Sequence, residues 1–451
     1  MNLFNKYKYW INSGKYSTIQ KLSVLFIGIL SFMLLARMLG PEGYGIWGLF
    51  IVITSITETT RTALIRNAFI RFIHQSEESE HGFVQGAAFI LSASISGVLA
   101  LLFFLLAGPA ASLLNAPSLE YMLKLYAISL LISTFFAHFE MLLNAKMVFR
   151  GICFMYCVRQ GFLFIFVLVY FFFPILHLTP YLLSVYYLIA LAAGSFTGYL
   201  MARPYLQLEF SGYKKWMPRL WSFGKYVFGN NLSSQLFRST DNFVVSNFFG
   251  PAISALYNAS LRISNLVDMP SAVLADIMFP KMAKYNSSDK SSVRHLYERG
   301  VAATLVFSIP ALLVILLFPE LILHILAGEK FVQAAPILRI TAFFGFTLPF
   351  LKQFGTVMDG TGSPQLNFRL MFAGFVINVL TNITFVHFFG IIGAAIGTAT
   401  TYLILFVVSQ FMLNRKFGIR ILSIMKNVGS IYLEIFNGLK PFLIKRKVGE
   451  I

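Results

Sequence analysis

Residues 84–107 read VQGAAFILSASISGVLALLFFLLA, a run without a single Asp, Glu, Lys or Arg. A bilayer core needs about 20 mostly apolar residues for one helical crossing. No water reaches the backbone there, so the run must satisfy its own hydrogen bonds as a helix. Similar runs lie on either side of it, separated by short polar breaks. Of the 451 residues 57% are hydrophobic and 12% charged, where a soluble domain carries about 25% charged residues. A β-barrel would instead show segments of ~10 residues alternating apolar and polar. These runs are apolar all round, which excludes it.

The pattern predicts twelve crossings, near 17–37, 45–72, 84–107, 121–143, 152–173, 181–202, 227–248, 255–279, 298–318, 336–358, 366–387 and 391–413. The first is preceded by Lys6, Lys8, Lys15 and Lys21 and closes on Ala36-Arg37-Met38-Leu39. That close offers no small-x-small cleavage site, so the helix is expected to stay as a signal anchor.

Lys and Arg fall on alternate breaks. One side holds Lys146, Arg150, Arg203, Lys214, Lys215, Arg219, Lys225, Lys281, Lys284, Lys290 and Arg294. The opposite breaks at 40–44, 108–120, 174–180, 250–254 and 319–335 hold Lys330 alone. By the positive-inside rule both termini are cytoplasmic, in a multi-pass protein of a bacterial or archaeal inner membrane. The net charge of +18 is then explained by topology and anionic lipid, and nucleic acid is not an expected partner. After Arg415, apolar residues alternate with Arg420, Lys426, Lys440, Lys445, Arg446 and Lys447. This predicts an amphipathic helix in the cytoplasmic interface, broken near Gly438 and Pro441.

The second half repeats the first. Gly14-Lys15-Tyr16 recurs as Gly224-Lys225-Tyr226, Leu39-Gly40-Pro41 as Phe249-Gly250-Pro251, and Ile46-Trp47 as Leu256-Tyr257. Glu58 falls on Asp268, Phe69 on Phe279, Arg71 on Lys281 and Pro109 on Pro319, all at one shift of 210 positions. Six helices separate the copies, so both insert the same way round, as parallel repeats of transporters do. The expected fold is all-α integral membrane, about 12 transmembrane helices in two parallel six-helix repeats around a central cavity. The expected divisions are an N-terminal lobe over 1–202, a cytoplasmic basic linker over 203–226, a C-terminal lobe over 227–413 and a basic tail over 414–451.

Ionisable groups inside a bilayer are costly and point to function. The expected crossings contain Glu58, Arg61, Arg66, Arg159, Arg238, Asp241, Arg262, Asp268, Asp276 and Lys352. Glu58 with Arg61, and Arg238 with Asp241, are three apart and can pair on one helix face. Arg262 and Lys352 have no acid at such spacing and need a partner from another helix or an anionic ligand. Polar stripes run along Asn231, Gln235, Arg238 and Asn242, and along Asn258, Arg262, Asn265 and Asp268. A wet cavity lined this way suits sugars and phosphates, because arginine presents forked donors to phosphate oxygens. The plainer reading is hydrogen bonding between helices.

The candidate substrate-binding set is therefore Arg61, Gln235, Arg238, Asn258, Arg262, Asn265 and Lys352. The candidate coupling acids are Glu58, Asp241 and Asp268. Asp241, Asn378, Asn382 and Thr398 form a candidate cation site, weighed against packing. Gly390, Gly393 and Gly397 suit close helix contact. Cys153 and Cys157 lie one turn apart with no further cysteine to complete a metal site. No catalytic motif, cofactor signature or nucleotide-binding motif is found.

The Gly-Pro corner is where a family becomes visible. Arg37-Met38-Leu39-Gly40-Pro41-Glu42-Gly43-Tyr44-Gly45 resembles the polysaccharide-unit flippases of the multidrug/oligosaccharidyl-lipid/polysaccharide exporter superfamily. Asp241-Asn242-Phe243, Phe249-Gly250-Pro251 and Leu256-Tyr257-Asn258-Ala259 resemble their seventh and eighth helices. Phe279-Pro280-Lys281 resembles the close of the eighth, and Gly390-Ile391-Ile392-Gly393-Ala394-Ala395 the start of the twelfth. The resemblance spans about 14–413 and departs at His387-Phe388. It implies alternating access and translocation of an isoprenoid pyrophosphate-linked oligosaccharide for cell-surface polysaccharide biosynthesis. The implied partners are that lipid-linked glycan, membrane lipid, and glycan polymerase and chain-length machinery. Two alternatives stay open: a drug/cation antiporter on the same fold, and an integral-membrane glycan polymerase or ligase.

Overall fold

The computed structural model describes residues 3–173, 177–282 and 289–448. The side chains of Lys6, Lys8, Lys15, Lys21, Asp276, Pro280 and residues 438–451 lie outside the described residues, as does the whole of Lys284. The described elements are helical, in the order α1 (Leu3–Gln75), α2 (His81–Leu113), α3 (Ser118–Ala145), α4 (Phe149–Phe172), α5 (Pro180–Ala202), α6 (Tyr213–Leu266) and α7 (Met269–Met282). There follow α8 (Lys290–Leu317), α9 (Pro319–Leu326), α10 (Ala335–Ala342), α11 (Phe344–Gly360), α12 (Pro364–Phe417) and α13 (Ile421–Val448).

Seven helices among the described residues are long and apolar enough to cross a membrane, or eight if the bent pair Glu329–Ala342 and Phe344–Gly360 is one span. The twelve expected crossings find places because three helices are each broken by one glycine. Gly40 in α1 has φ 65° and ψ −177°, Gly250 in α6 has φ 78° and ψ 175°, and Gly390 in α12 has φ 59° and ψ −145°. That backbone region is essentially closed to residues with a Cβ. Gly40 and Gly250 are followed by Pro41 and Pro251, which suit a first helical turn because its N–H groups lack helical acceptors. Across Gly40 the rings of Phe32 and Tyr44 meet at 5.6 Å, where twelve residues of straight helix would rise about 18 Å. Across Gly390, Thr381 and Thr401 touch through their hydroxyls at 3.0 Å, so α12 is an antiparallel hairpin.

The chain packs as two compact units, residues 1–255 with 326–330, and 256–325 with 331–451. In the first unit α3 packs against α2 and α5, and α4 against α5 and α1. The first arm of α6 also belongs to this unit, as does segment 203–212. That segment lies across the start of α2: Glu209 N donates to Gly82 O at 3.1 Å, and Gln207 N to Gln85 Oε1 at 3.1 Å. A Cβ on Gly86 would stand 2.0 Å from Glu209 O, so this contact requires glycine.

In the second unit α11 packs between α7, α8 and α12. Asp289 caps α8, its carboxylate accepting from Ser292 N at 3.2 Å. The bonds from Ser292 hold that carboxyl below its ordinary range. The tail differs from expectation in one respect. The backbone of α13 stays helical through Gly438 and Pro441 to Val448. Its first half packs on α8, with Arg420 N donating to Glu298 Oε1 at 3.1 Å and Tyr432 OH to Val306 O at 2.8 Å. Ile424 and Val428 are buried, and this burial gives the helix a tertiary support that its own sequence does not advertise.

Candidate functional site

In the first unit, residues of α1, α3, α4 and the first arm of α6 line an open cavity of about 340 Å³. Helical spacing places its charged groups. Glu58, Thr62 and Arg66 succeed one another four apart on α1, and Ser133, Phe136, Ala137 and Glu140 follow the i, i+3, i+4, i+7 pattern on α3. Tyr156 and Arg159 come from α4, one turn apart, and Asn231 from α6.

Glu58 does not pair with Arg61, as its three-residue spacing had predicted. Its Oε1 accepts from Tyr187 OH at 2.7 Å and its Oε2 from Arg159 Nη2 at 3.4 Å. Arg159 Nη2 also donates to Tyr187 OH at 2.7 Å, and its guanidinium lies 5.2 Å from the ring centroids of both Phe136 and Tyr187. Rings in that position attract a cation through their quadrupole. The α4–α5 contact that makes this possible is tight. A Cβ on Gly194 would stand 3.0 Å from Arg159 Cβ.

Arg61 is held by hydroxyl groups instead. It is 2% exposed. Its Nη1 donates to Ser96 Oγ at 2.9 Å and Ser92 Oγ at 3.2 Å, and its Nη2 to Ser133 Oγ at 2.9 Å. Most of its fork is therefore spent on the helix bundle, although it borders the cavity. Arg66 is different: its side chain is 39% exposed and reaches Glu140 Oε1 at 3.4 Å. Asn67, Asn231, Thr59, Thr62 and Tyr156 supply uncharged donors and acceptors around it. Three guanidiniums against two carboxylates leave the cavity one positive charge in excess. Arg66 and Arg159 each keep N–H groups beyond those used in their ion pairs. Such a surface can hold phosphate oxygens and sugar hydroxyls together.

The other expected site residues are not among those that line this cavity. Gln235 is half-buried and Arg238 exposed on the first arm of α6, while Asp241 is buried and engaged in contacts of its own. In the second unit Arg262 and Asn265 are exposed and Asn258 is half-buried, with Arg262 and Asn258 also engaged. Lys352 finds its partner on another helix: Nζ lies 2.7 Å from Asp268 Oδ2. Asn378, Asn382 and Thr398 bond to one another across the α12 hairpin, Asn382 Nδ2 donating to Asn378 Oδ1 at 2.7 Å and to Thr398 Oγ1 at 2.9 Å. Asp241 belongs to the first unit and those three to the second.

Nothing in the sequence pattern singles out Glu140, Asn67 or Tyr156, and it gives Arg66 and Arg159 no role beyond being charges in a crossing. Glu140 carried the same signal as Glu58, an acid inside an apolar run. Its position among Phe139, Met141 and Leu142 gives no polar stripe to draw the eye.

The family model described as polysaccharide biosynthesis protein matches residues 34–336. The chain is 20% identical to lipopolysaccharide biosynthesis protein WzxC of Escherichia coli over 89% of its own length and 80% of that protein's. It is 22% identical to the probable low-salt glycan biosynthesis flippase Agl15 of Haloferax volcanii, over 41% of this chain and 39% of that one. An uncharacterized membrane protein of Methanocaldococcus jannaschii is 26% identical over 45% of this chain and 40% of its own. The chain thus spans less than half the length of these archaeal relatives. Among solved structures, the lipid II flippase MurJ in an inward closed conformation matches with a TM-score of 0.74 at 16% identity, over 93% of this chain and 91% of that one. An inward-facing multidrug resistance MATE family transporter matches at 0.74 and 13% identity, over 90% and 98%. At such identities the likeness is one of fold.

Proposed function

Because the chain belongs to the polysaccharide biosynthesis protein family, we propose that it is a flippase carrying an isoprenoid pyrophosphate-linked oligosaccharide from the cytoplasmic to the outer leaflet. The observation that carries this reading is the first-unit cavity. Arg66 and Arg159 supply forked cationic donors for the pyrophosphate, and Asn67, Asn231, Thr59 and Thr62 face the sugars. The neutralising Glu58 and Glu140 leave only a small excess of charge, so the site can release an anion as well as take it. The candidate residues Arg61, Gln235, Arg238, Asn258, Arg262, Asn265 and Lys352 remain proposed contributors to binding or to its geometry.

A membrane potential negative inside drives an anion outward by about 2.3 kcal/mol per charge per 100 mV. Two phosphate charges crossing the whole field gain roughly 4–5 kcal/mol. Named flippase relatives support a transporter over a glycan polymerase or ligase. The antiporter reading rests on the acids Glu58, Asp241 and Asp268, of which Glu58 already pairs with Arg159 and Asp268 with Lys352. The proposed location is the cytoplasmic membrane with both termini inside, and glycan polymerase and chain-length machinery as neighbours in the pathway.

The test is reconstitution into vesicles with a lipid-linked oligosaccharide and an imposed potential without an ion gradient. Translocation faster than in vesicles at zero potential, and lost in Arg66→Ala, is the expected result. Indifference to the potential together with strict dependence on a proton or sodium gradient would move the reading to antiport.

A further inference from the structure

Two short bonds meet at one hydroxyl between α1, α4 and α5. Tyr187 OH donates to Glu58 Oε1 at 2.7 Å and accepts from Arg159 Nη2 at 2.7 Å. The direct contact of the two charges is longer, Arg159 Nη2 to Glu58 Oε2 at 3.4 Å. A charge-assisted N–H···O bond usually runs to about 2.7–2.9 Å. The phenol therefore stands between the charges and holds each more closely than they hold one another. Both hydrogen bonds of Arg159 among the described residues leave from Nη2, so the rest of its five-donor fork is unspent.

The ring that carries this hydroxyl is fixed by packing. Tyr187 is buried, and its ring meets Phe50 edge-on, at 5.6 Å and 88°. Phe50 is itself closed in by Trp47 at 5.3 Å and Tyr126 at 5.9 Å. Tyr187 does not line the cavity, whereas Glu58 and Arg159 do. Arg159 has a long side chain at an open space and rests on ring faces, which hold a cation without a directed bond. Of the three groups the hydroxyl is the anchored one and the guanidinium the one with room to turn.

We propose that Tyr187 is a positioning residue that lets Arg159 leave Glu58 for a phosphate of the substrate, which rests on the flippase reading of the cavity. When the guanidinium turns away, Glu58 keeps the bond from Tyr187 OH. When the anion departs, the same oxygen takes Nη2 back and returns the arginine to its carboxylate. Without the hydroxyl, a turning Arg159 would strip Glu58 of its charge partner and its hydrogen bond together, and a carboxylate so placed holds its arginine. Glu58 thus competes with the substrate for Arg159, and Tyr187 weakens that competition.

The exchange is testable with inorganic pyrophosphate alone. Its Kd for the purified full chain is measured by calorimetry at fixed ionic strength, with folded state checked by gel filtration. In Tyr187→Phe, which keeps the ring and its packing, Kd should rise about tenfold, the equivalent of about 1.4 kcal/mol. Adding Glu58→Gln removes the competing charge and should bring Kd back near the native value. Glu58→Gln alone should tighten binding, and it decides the matter if Tyr187→Phe does not fold. With Arg159→Gln and Glu58→Gln together, Tyr187→Phe should change nothing further. An unaltered Kd in Tyr187→Phe overturns the proposal, as does a loss that Glu58→Gln fails to relieve, which would make Tyr187 a brace between helices. Weaker or unchanged binding in Glu58→Gln alone overturns it, and so does a native chain that does not bind pyrophosphate. The flippase reading is judged separately, by lipid-linked glycan flux in vesicles: the pattern above without flux would sink that reading and keep the exchange, and flux without the pattern the reverse.

Discussion

Glu58 draws its counter-charge from Arg159, 101 positions along the chain and 3.4 Å away, while Arg61, three residues on along the same helix, is held by serine and threonine hydroxyls. Both members of the pair are largely buried, with side chains 21% and 15% exposed. Removing one partner of such a pair leaves a charge in a poor environment and costs about 3–5 kcal/mol. Arg159→Gln is therefore expected to lower thermal stability more than the double variant with Glu58→Gln. Additive losses in a double-mutant cycle would show that the pair is not coupled.

The cavity arginines should separate by phenotype. Arg61→Ala strips a buried guanidinium from at least three hydroxyls and should reduce the amount of folded protein. Arg66→Ala, combined with Glu140→Gln so that no buried carboxylate is left unpaired, should leave the amount near normal and reduce translocation by more than about tenfold, since a forked contact to phosphate contributes over ~1.4 kcal/mol. Arg66→Lys should restore part of it, because a point charge lacks the second donor. The two readouts are folded yield by fluorescence-detected gel filtration and glycan flux in vesicles.

Helix existence and order were legible because most runs carry their own apolar length; α6 is not among the seven helices that do. The corners at Gly40 and Gly250 were legible because glycine before proline has a strong local meaning. The partners of charged side chains were not. Glu58 and Arg61 satisfy a local spacing rule, yet the choice between Arg159 and Arg61 is made by α5, whose Gly194 lets α4 approach and whose Tyr187 holds both groups. Likewise Lys352 and Asp268 sit 84 positions apart, a separation on which local pattern is silent. The packing of α13 on α8 was hidden for the same reason: few residues bury, and its charged ones dominate the reading.

The break at Gly250 isolates backbone cost from steric cost. A Cβ there meets nothing within 4 Å, so Gly250→Ala should lower stability by the conformational penalty alone, about 1–3 kcal/mol. Gly393→Ala, whose Cβ would lie 1.9 Å from Phe385 O, should be worse, because the α12 hairpin must open to admit it. Comparing the melting temperatures of the two variants checks this order.

Reporter fusions at Ser118 and at Lys214 should report opposite faces of the membrane, with Lys214 on the cytoplasmic one. A fusion after Ile451 should agree with Lys214. Agreement of Ser118 with Lys214 would remove the twelve-crossing topology.

Segment 203–212, laid across Gly82 and Gly86, bears on how the molecule can be divided. The boundary that the sequence leads one to expect between two repeats invites cutting the gene there to make two half-proteins. Such a cut would take from the first half a strip of its own surface and leave the start of α2 bare. Fragments that reassemble in the membrane are better sought with the break placed just after Gly212, ahead of α6, so that the strap stays attached to the first half.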